Sequence, residues 1–283
     1  MKKIFIFVFI LLFQVSSLFA EEAKENSDNY SPMSLYKSNY IIFGDNDNQV
    51  KFQFSAKYQI VEPDKTNIPF NSAWDYIKSP LKIAGSWTYL AYTQTNWWLV
   101  YSDRDTFSTN YQPEGFFMIE SKNNILNWDF GPVKYFKIAP FYHCSTGVER
   151  ANHRSINEYY GEFDISFSND KKKDEIGIDA KLFGYWSRSD SNKDINNYRR
   201  NYEAKIYYNH VFDSKWWWKE QGFNFICTGD PTGKGYFMAE SITKIFSKKF
   251  QPKIFIQYSQ GYGVNIVDYN IKETEFRAGF LFD

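Results

Sequence analysis

The stretch SINEYYGEFDISF, residues 155–167, decides how this chain folds. Its chemistry changes with every residue, which is the period of a β-strand. Asn157, Tyr159, Gly161, Phe163, Ile165 and Phe167 fall on one face, and Glu158, Tyr160, Glu162, Asp164 and Ser166 fall on the other. One face therefore needs water or polar partners and the other needs an apolar medium. In a soluble sandwich that medium is the core. In a membrane barrel it is lipid, and the acidic face is then the lumen, because charge against lipid costs kilocalories per residue.

The same alternation recurs along the chain. Phe52, Phe54, Ala56 and Tyr58 alternate with Lys51, Gln53, Ser55 and Lys57. Tyr198, Tyr202, Ala204, Ile206 and Tyr208 share a face opposite Arg199, Asn201, Glu203 and Lys205, and Phe276, Ala278, Phe280 and Phe282 alternate with Arg277, Gly279 and Leu281. Such segments begin near residues 35, 49, 83, 97, 114, 133, 155, 175, 197, 220, 234 and 252, with one more near 272. The fourth and the ninth are the candidates for loop, and an even total of about twelve suits a closed antiparallel sheet. Polar loops rich in Asn, Asp, Lys and Ser separate the segments, no helical periodicity is sustained, and no linker divides the chain.

Composition separates barrel from sandwich. The chain opens MKKIFIFVFILLFQVSSLFAEE, which reads as a secretory signal peptide cut after Ala20. Residues 1–20 are thus expected to be a signal peptide and residues 21–283 a single barrel domain. The apolar run Ile4–Phe13 is too short for a spanning helix, and no cysteine follows the cut to carry a lipid anchor. Mean hydropathy is −0.54, yet 21% of residues are aromatic. Export, aromatic excess and the lack of another long apolar run point to a transmembrane antiparallel β-barrel of about twelve strands. Trp97, Trp98 and Trp216–Trp218 near strand ends fit an interfacial aromatic girdle, or the core packing of a sandwich. Net charge is zero, which removes the electrostatic case for nucleic acid. Cys144 and Cys227 match no zinc spacing and read as unpaired.

Chemistry concentrates in YHCSTG, residues 142–147. His143 and Ser145 lie two residues apart and so on one face of their strand, together with Ala139 and Phe141. Ile138 and Tyr142 make the other face apolar too. A polar connection over residues 146–154 makes a hairpin with the strand of residues 155–167, so Asn157 can join His143 and Ser145 on the outer wall. A serine activated by a histidine that a third polar side chain orients is a hydrolase arrangement. Asparagine is uncharged, which costs less beside lipid than aspartate. Three solvated residues at the barrel rim fit the spacing equally well. The glycines of GDPTGK, residues 229–234, lack the spacing of a phosphate loop, and NDKKKDE, residues 169–175, reads as a solvated turn.

HCSTG, with Asn157 fourteen residues after His143, resembles the H-x-S-x-G…N signature of the outer-membrane phospholipase A family. VKFQFS at 50–55, YTQTNWW at 92–98, TNYQPE at 109–114 and YSQGYGVNIVDYN at 258–270 are similar to that family as well, in order from about residue 35 to the C-terminus. The resemblance implies a bacterial outer-membrane, multi-pass barrel. It implies calcium-dependent hydrolysis of phospholipid acyl esters at sn-1 and sn-2, lysophospholipids included, by a homodimer. It assigns the nucleophile to Ser145, the base to His143, its orientation to Asn157 and an oxyanion-facing N–H to Gly147. The implied calcium ligands are the Val148 carbonyl, position 153, where His153 replaces the family's serine, and Asp105 of the partner subunit, with Arg104 as the ungapped alternative. Gln94 falls in the implied dimer wall, where its amide is expected to need a partner. The competing reading is a non-enzymatic porin or adhesin barrel with a degenerate site.

Overall fold

The computed structural model describes residues 33–44, 49–61, 86–99, 108–120, 127–128, 131–146, 153–169, 173–199, 201–212, 218–229, 233–245 and 252–282. The expected signal peptide lies outside them. The strands are β1 (Met33–Leu35), β2 (Asn39–Gly44), β3 (Gln49–Val61), β4 (Ser86–Leu99), β5 (Ser108–Glu120), β6 (Asn127–Trp128) and β7 (Gly131–Ser145). They continue as β8 (Ser155–Asn169), β9 (Asp174–Arg188), β10 (Tyr202–Val211), β11 (Glu220–Gly229), β12 (Tyr236–Lys244), β13 (Lys253–Gly261) and β14 (Glu273–Phe282). Each long strand pairs antiparallel with its neighbours, and β14 pairs with β2 from Arg277↔Gly44 to Phe282↔Asn39. That last ladder closes the sheet. β1 and β2 both pair with β3 and form one interrupted stave, while β6 pairs only with β7. The result is a closed barrel of twelve staves.

The expected count stands, but its boundaries shift. The segment expected near 97 is the end of β4, which runs unbroken from Ser86 to Leu99, and the next strand starts at Ser108 rather than 114. The ninth segment starts at Tyr202, so Tyr198 is not on its outer face. Tyr198 belongs to a connection with two short 3-10 turns, Asp190–Asn192 and Ile195–Asn197.

Burial separates the two faces of the wall. Outward residues are large, apolar and uncovered: Leu182 is 69% exposed, and Phe163, Phe167, Ile176, Ile178, Phe225 and Phe276 are exposed too. Inward residues are polar and covered: Glu158 is 0% exposed, and Glu114, Lys137, Glu162 and Asp179 are buried. A water-soluble protein would reverse this arrangement, whereas a lipid-facing wall requires it. Isolated charges in the interior would be costly, so they are paired. Lys137 pairs with Glu162, lies 3.8 Å from Glu114 and donates to the Tyr36 hydroxyl at 2.7 Å. Lys181 bridges Glu203 at 2.7 Å and Glu162 at 3.7 Å, and Lys205 reaches Asp179 at 3.2 Å.

Lys137 is the hub of this network, since it neutralises two carboxylates at once. Lys137→Met keeps the bulk, removes the cation beside Glu114 and leaves Glu162 the Lys181 ammonium at 3.7 Å as its cation. The expected loss is about 3–5 kcal/mol of stability, the usual cost of breaking a buried pair from one side. The urea midpoint of the barrel refolded in lipid vesicles measures it, and an unchanged midpoint would mean that water screens the lumen.

Candidate active site

The site is built on β7, and β7 changes parity halfway. Tyr135, Lys137 and Ala139 point into the lumen, and then Tyr142, Cys144 and Thr146 do so. The switch is a bulge. Ala139 pairs with Tyr160 and Tyr142 with Glu158, so three steps on β7 meet two on β8, and the ladder to β5 shifts at the same place. Pro140 has no rung in either ladder. Proline has no N–H to donate and inside a sheet is confined to edges and bulges. Pro140 and Phe141 are therefore exposed on the outer face and His143 is half-buried there; alternation puts Ser145 on the same face, where it is buried, while Ala139 is fully buried on the opposite face. The sequence reading placed Ala139 with the outward set, and the bulge corrects it.

On β8, Asn157 lies directly opposite His143. His143 Nδ1 and Asn157 Oδ1 are 2.7 Å apart, and Asn157 Nδ2 donates to Ser187 Oγ at 2.8 Å. When Nδ1 carries the proton and donates to this oxygen, Nε2 is left as the basic nitrogen. Ser145 occupies the last rung of β7, opposite Ser155. It lies two residues beyond His143 on the same outer face, about 6.8 Å along the strand. An oriented imidazole beside a hydroxyl can take that hydroxyl's proton. Ser187 had no signal in the sequence, because it reaches Asn157 only through an irregularity in β9. Asn157 pairs with Ser187 and Glu158 with Tyr185, which leaves Trp186 as an extra residue.

The inner side of this wall is braced. Cys144 and Ile156, directly behind the site, are fully buried in a cluster with Tyr142, Tyr160, Ile195, Ile266 and Tyr269. Ile195 comes from the connection after β9, and Ile266 and Tyr269 from the connection after β13. Both connections thus fold into this mouth of the barrel. Arg199 lies 3.5 Å from Glu158 and donates to Cys144 Sγ at 3.7 Å. The Tyr269 hydroxyl donates to Asp194, and burial together with that carboxylate pushes the phenol up to about 12, so it remains a donor. Cys144 and Cys227 are both free, as the sequence predicts.

Gly147, Val148 and Asp105 lie outside the described residues. His153 lies within them, and its carbonyl oxygen accepts a hydrogen bond from Ser191 Oγ. Thr146 and Arg154 close the base of the connection, with the Thr146 N–H donating to the Arg154 carbonyl at 3.0 Å. Among the described residues no three His, Cys, Asp or Glu side chains form a metal group. An ion held here would rest on carbonyl and hydroxyl oxygens, a hard donor set that suits calcium. Gln94 faces outward, but its amide is not partnerless. It accepts from the Tyr92 hydroxyl at 2.9 Å and donates to Asn96 Oδ1 at 3.0 Å, which also accepts from Thr109. Trp98 faces outward, edge-on to Phe52, and Trp218 is exposed. Trp97 turns into the lumen under the Lys51 ammonium. Trp216 and Trp217 lie outside the described residues.

Relatives carry the same description throughout. Phospholipase A1 of Salmonella typhimurium (strain LT2) is 23% identical over 274 residues, covering 94% of this chain and 86% of its own. Phospholipase A1 of Escherichia coli (strain K12) matches to the same extent. Among solved structures, outer membrane phospholipase A from Escherichia coli superposes with a TM-score of 0.68 at 20% identity, covering 92% of this chain and 95% of that one. The Salmonella typhi outer membrane phospholipase dimer with bound calcium gives 0.69 at 19% identity, covering 95% and 98%. The family model for phospholipase A1 matches residues 15–282. An outward-facing histidine, asparagine and serine on a lipid-exposed wall thus have a family to which they belong: this chain is a member of the phospholipase A1 family, a multi-pass barrel of the outer membrane.

Proposed function

We propose that the chain hydrolyses the acyl esters of membrane phospholipids, at sn-1 and sn-2 and in lysophospholipids, with Ser145 as nucleophile. The observation that supports this best is the 2.7 Å contact between His143 Nδ1 and Asn157 Oδ1 on the outer wall, with Ser145 on the same face. Asn157 holds the imidazole so that Nε2 accepts the Ser145 proton as Oγ attacks the ester carbonyl. The Gly147 N–H is the proposed donor to the tetrahedral oxyanion. On collapse His143 returns the proton to the leaving glycerol oxygen, giving a lysophospholipid and an acyl-serine. Water, deprotonated by the same imidazole, then attacks the acyl-serine; the Oγ–acyl bond breaks, the imidazolium returns the proton to Ser145 Oγ and the fatty acid leaves. Placement on the outer wall lets substrate reach the serine by lateral diffusion, without leaving the bilayer.

Ser145→Ala removes the attacking atom and should leave a folded, heat-modifiable barrel whose hydrolysis of labelled phospholipid falls by about a thousandfold or more. Asn157→Ala removes orientation only and should cost less, about ten- to a hundredfold. Parent-like turnover in Ser145→Ala would overturn the assignment.

The carbonyls of Val148 and His153, with Asp105 of the partner subunit, are the proposed holders of a calcium ion. When bound, it would supply positive charge beside the developing oxyanion. Imidazole nitrogen is a poor calcium donor, so His153 would serve through its backbone and Asp105 would bring the negative charge. Asp105→Ala should raise the calcium concentration for half-maximal hydrolysis far more than His153→Ser does. An unchanged value in Asp105→Ala would assign that position to another group of the 101–107 connection.

A ligand from a second subunit makes the homodimer the active form. Its proposed contact is Tyr92 and Gln94 on the lipid face, with Asn96 and Thr109 buried behind them as hydrogen-bond partners. Cross-linking in the presence of calcium and a substrate analogue should trap dimers. Full hydrolytic rate from a detergent-isolated monomer would refute this.

A further inference from the structure

Trp186 is the extra residue of the β9 irregularity, and Pro140 is the unpaired residue of the β7 bulge. They lie on either side of β8 at adjacent levels, Pro140 opposite the step from Tyr160 to Glu158 and Trp186 opposite the step from Glu158 to Asn157, and β8 runs between them without a bulge of its own. Trp186 is 68% exposed on the outer wall, yet it is tied down: its indole Nε1–H donates to the Pro140 carbonyl at 3.0 Å, across the strand between. It crosses over the Tyr159 ring, with centroids 5.1 Å apart. Tyr159 in turn lies flat on Gly184, where an added Cβ would stand 2.2 Å from the ring. A carbonyl displaced from both ladders and facing lipid has no water to pair with, and leaving it unsatisfied is costly. Tryptophan supplies a single donor on an apolar body, which suits that place.

We infer that Trp186 is a positioning residue for hydrolysis: through the Pro140 carbonyl it holds the β7 bulge that turns His143 and Ser145 outward. The inference rests on the reading of Ser145 and His143 given above. Counted from Lys137 without the bulge, both would share the parity of the lumen-facing Ala139 and would point away from lipid and from Asn157. The indole N–H fixes the one point in β7 where proline leaves the ladder open. It acts three residues before His143, on the strand that carries both reacting groups.

The decisive variant deletes only the donor. Replacing Trp186 by 3-benzothienylalanine keeps the ring and its contact with Tyr159 and puts sulfur in place of N–H. Trp186→Phe is the simpler companion, and Trp218→Phe at the opposite end of the barrel is the control. Each is refolded and checked for heat-modifiability. Each is then assayed for kcat and KM on phospholipid and for the rate at which a fluorophosphonate labels Ser145. The benzothienyl variant should fold, label more slowly and lose about ten- to a hundredfold in kcat, with KM within about twofold, while Trp218→Phe matches the parent. A role in packing or in holding an acyl chain alone predicts parent-like kcat and labelling in the isostere, and that result overturns the inference. If Ser145→Ala retains activity, the reading of the site fails instead, whatever Trp186 does.

Discussion

Inside a bilayer every backbone N–H and C=O must find its partner within the protein, and that constraint arranges the rest of this molecule. It forces the sheet to close, so β14 returns to β2. It tolerates an interruption only where the interruption is satisfied locally. β1 and β2 break between Leu35 and Asn39, and there Gln53 Nε2 donates to the Ser38 carbonyl at 2.9 Å and the Lys37 N–H bonds Ser55 Oγ. Pro140 opens β7, and the Trp186 indole covers the carbonyl. The same rule that makes the wall regular makes these two irregularities conspicuous, because each has a side chain committed to it.

Closure also inverts the usual sense of inside and outside. The charged network of Glu114, Lys137, Glu162 and Lys181 serves as the core, and the aliphatic belt is the surface. Polar cores need fixed partners, whereas apolar surfaces in lipid need only area. The mouth on the site's side is filled by apolar residues, Ile195, Ile266 and Tyr269, which pack behind Cys144 and Ile156. The stave bearing His143 and Ser145 is thereby backed by packed side chains rather than by open lumen. Rigidity of that kind matters for the proposed base and nucleophile on a sheet surface, where little else limits their motion.

Much of this is legible from residues alone, and the misplaced Ala139 and Tyr198 share one cause. Ser155–Phe167 alternates without a break, so its faces were assigned correctly from chemistry: Glu158 and Glu162 inside, Tyr159 and Phe163 outside. Ala139 was misassigned because strict alternation was carried through a proline. Pro140, in the middle of an otherwise plain strand, was the visible signal, together with apolar residues on both faces nearby. Tyr198 was misplaced likewise, since alternation continued past the true start of β10 into a connection. Pairing partners are a different matter. Nothing in the spacing says that Ser187 meets Asn157, or that Trp186 reaches over β8, because both depend on where an extra residue falls in a ladder not yet known. The Gln94 amide is expected to need a partner from the dimer wall, but Tyr92 and Asn96 share its face and supply partners within the strand.

The choice of asparagine as the proposed orienting residue has a consequence of its own. A carboxylate presents the same oxygen face whichever way it turns, whereas an amide has a wrong end. With Nδ2 toward the imidazole, Asn157 would donate to Nδ1 and place the ring proton on Nε2, removing the base. The neutral side chain avoids the desolvation of a charge beside lipid, but it exchanges that cost for a requirement of direction. In the structure Asn157 Nδ2 donates to Ser187 Oγ at 2.8 Å and Oδ1 faces His143 Nδ1 at 2.7 Å, which is the direction the base requires. Ser187 stands there because Trp186 is the extra residue of β9. One insertion in β7 thus turns the histidine and serine outward, and a second in β9 supplies both the donor that covers the first and the serine that bonds the amide. The two irregularities act as a pair, and the straight strand between them carries the residue on which both converge.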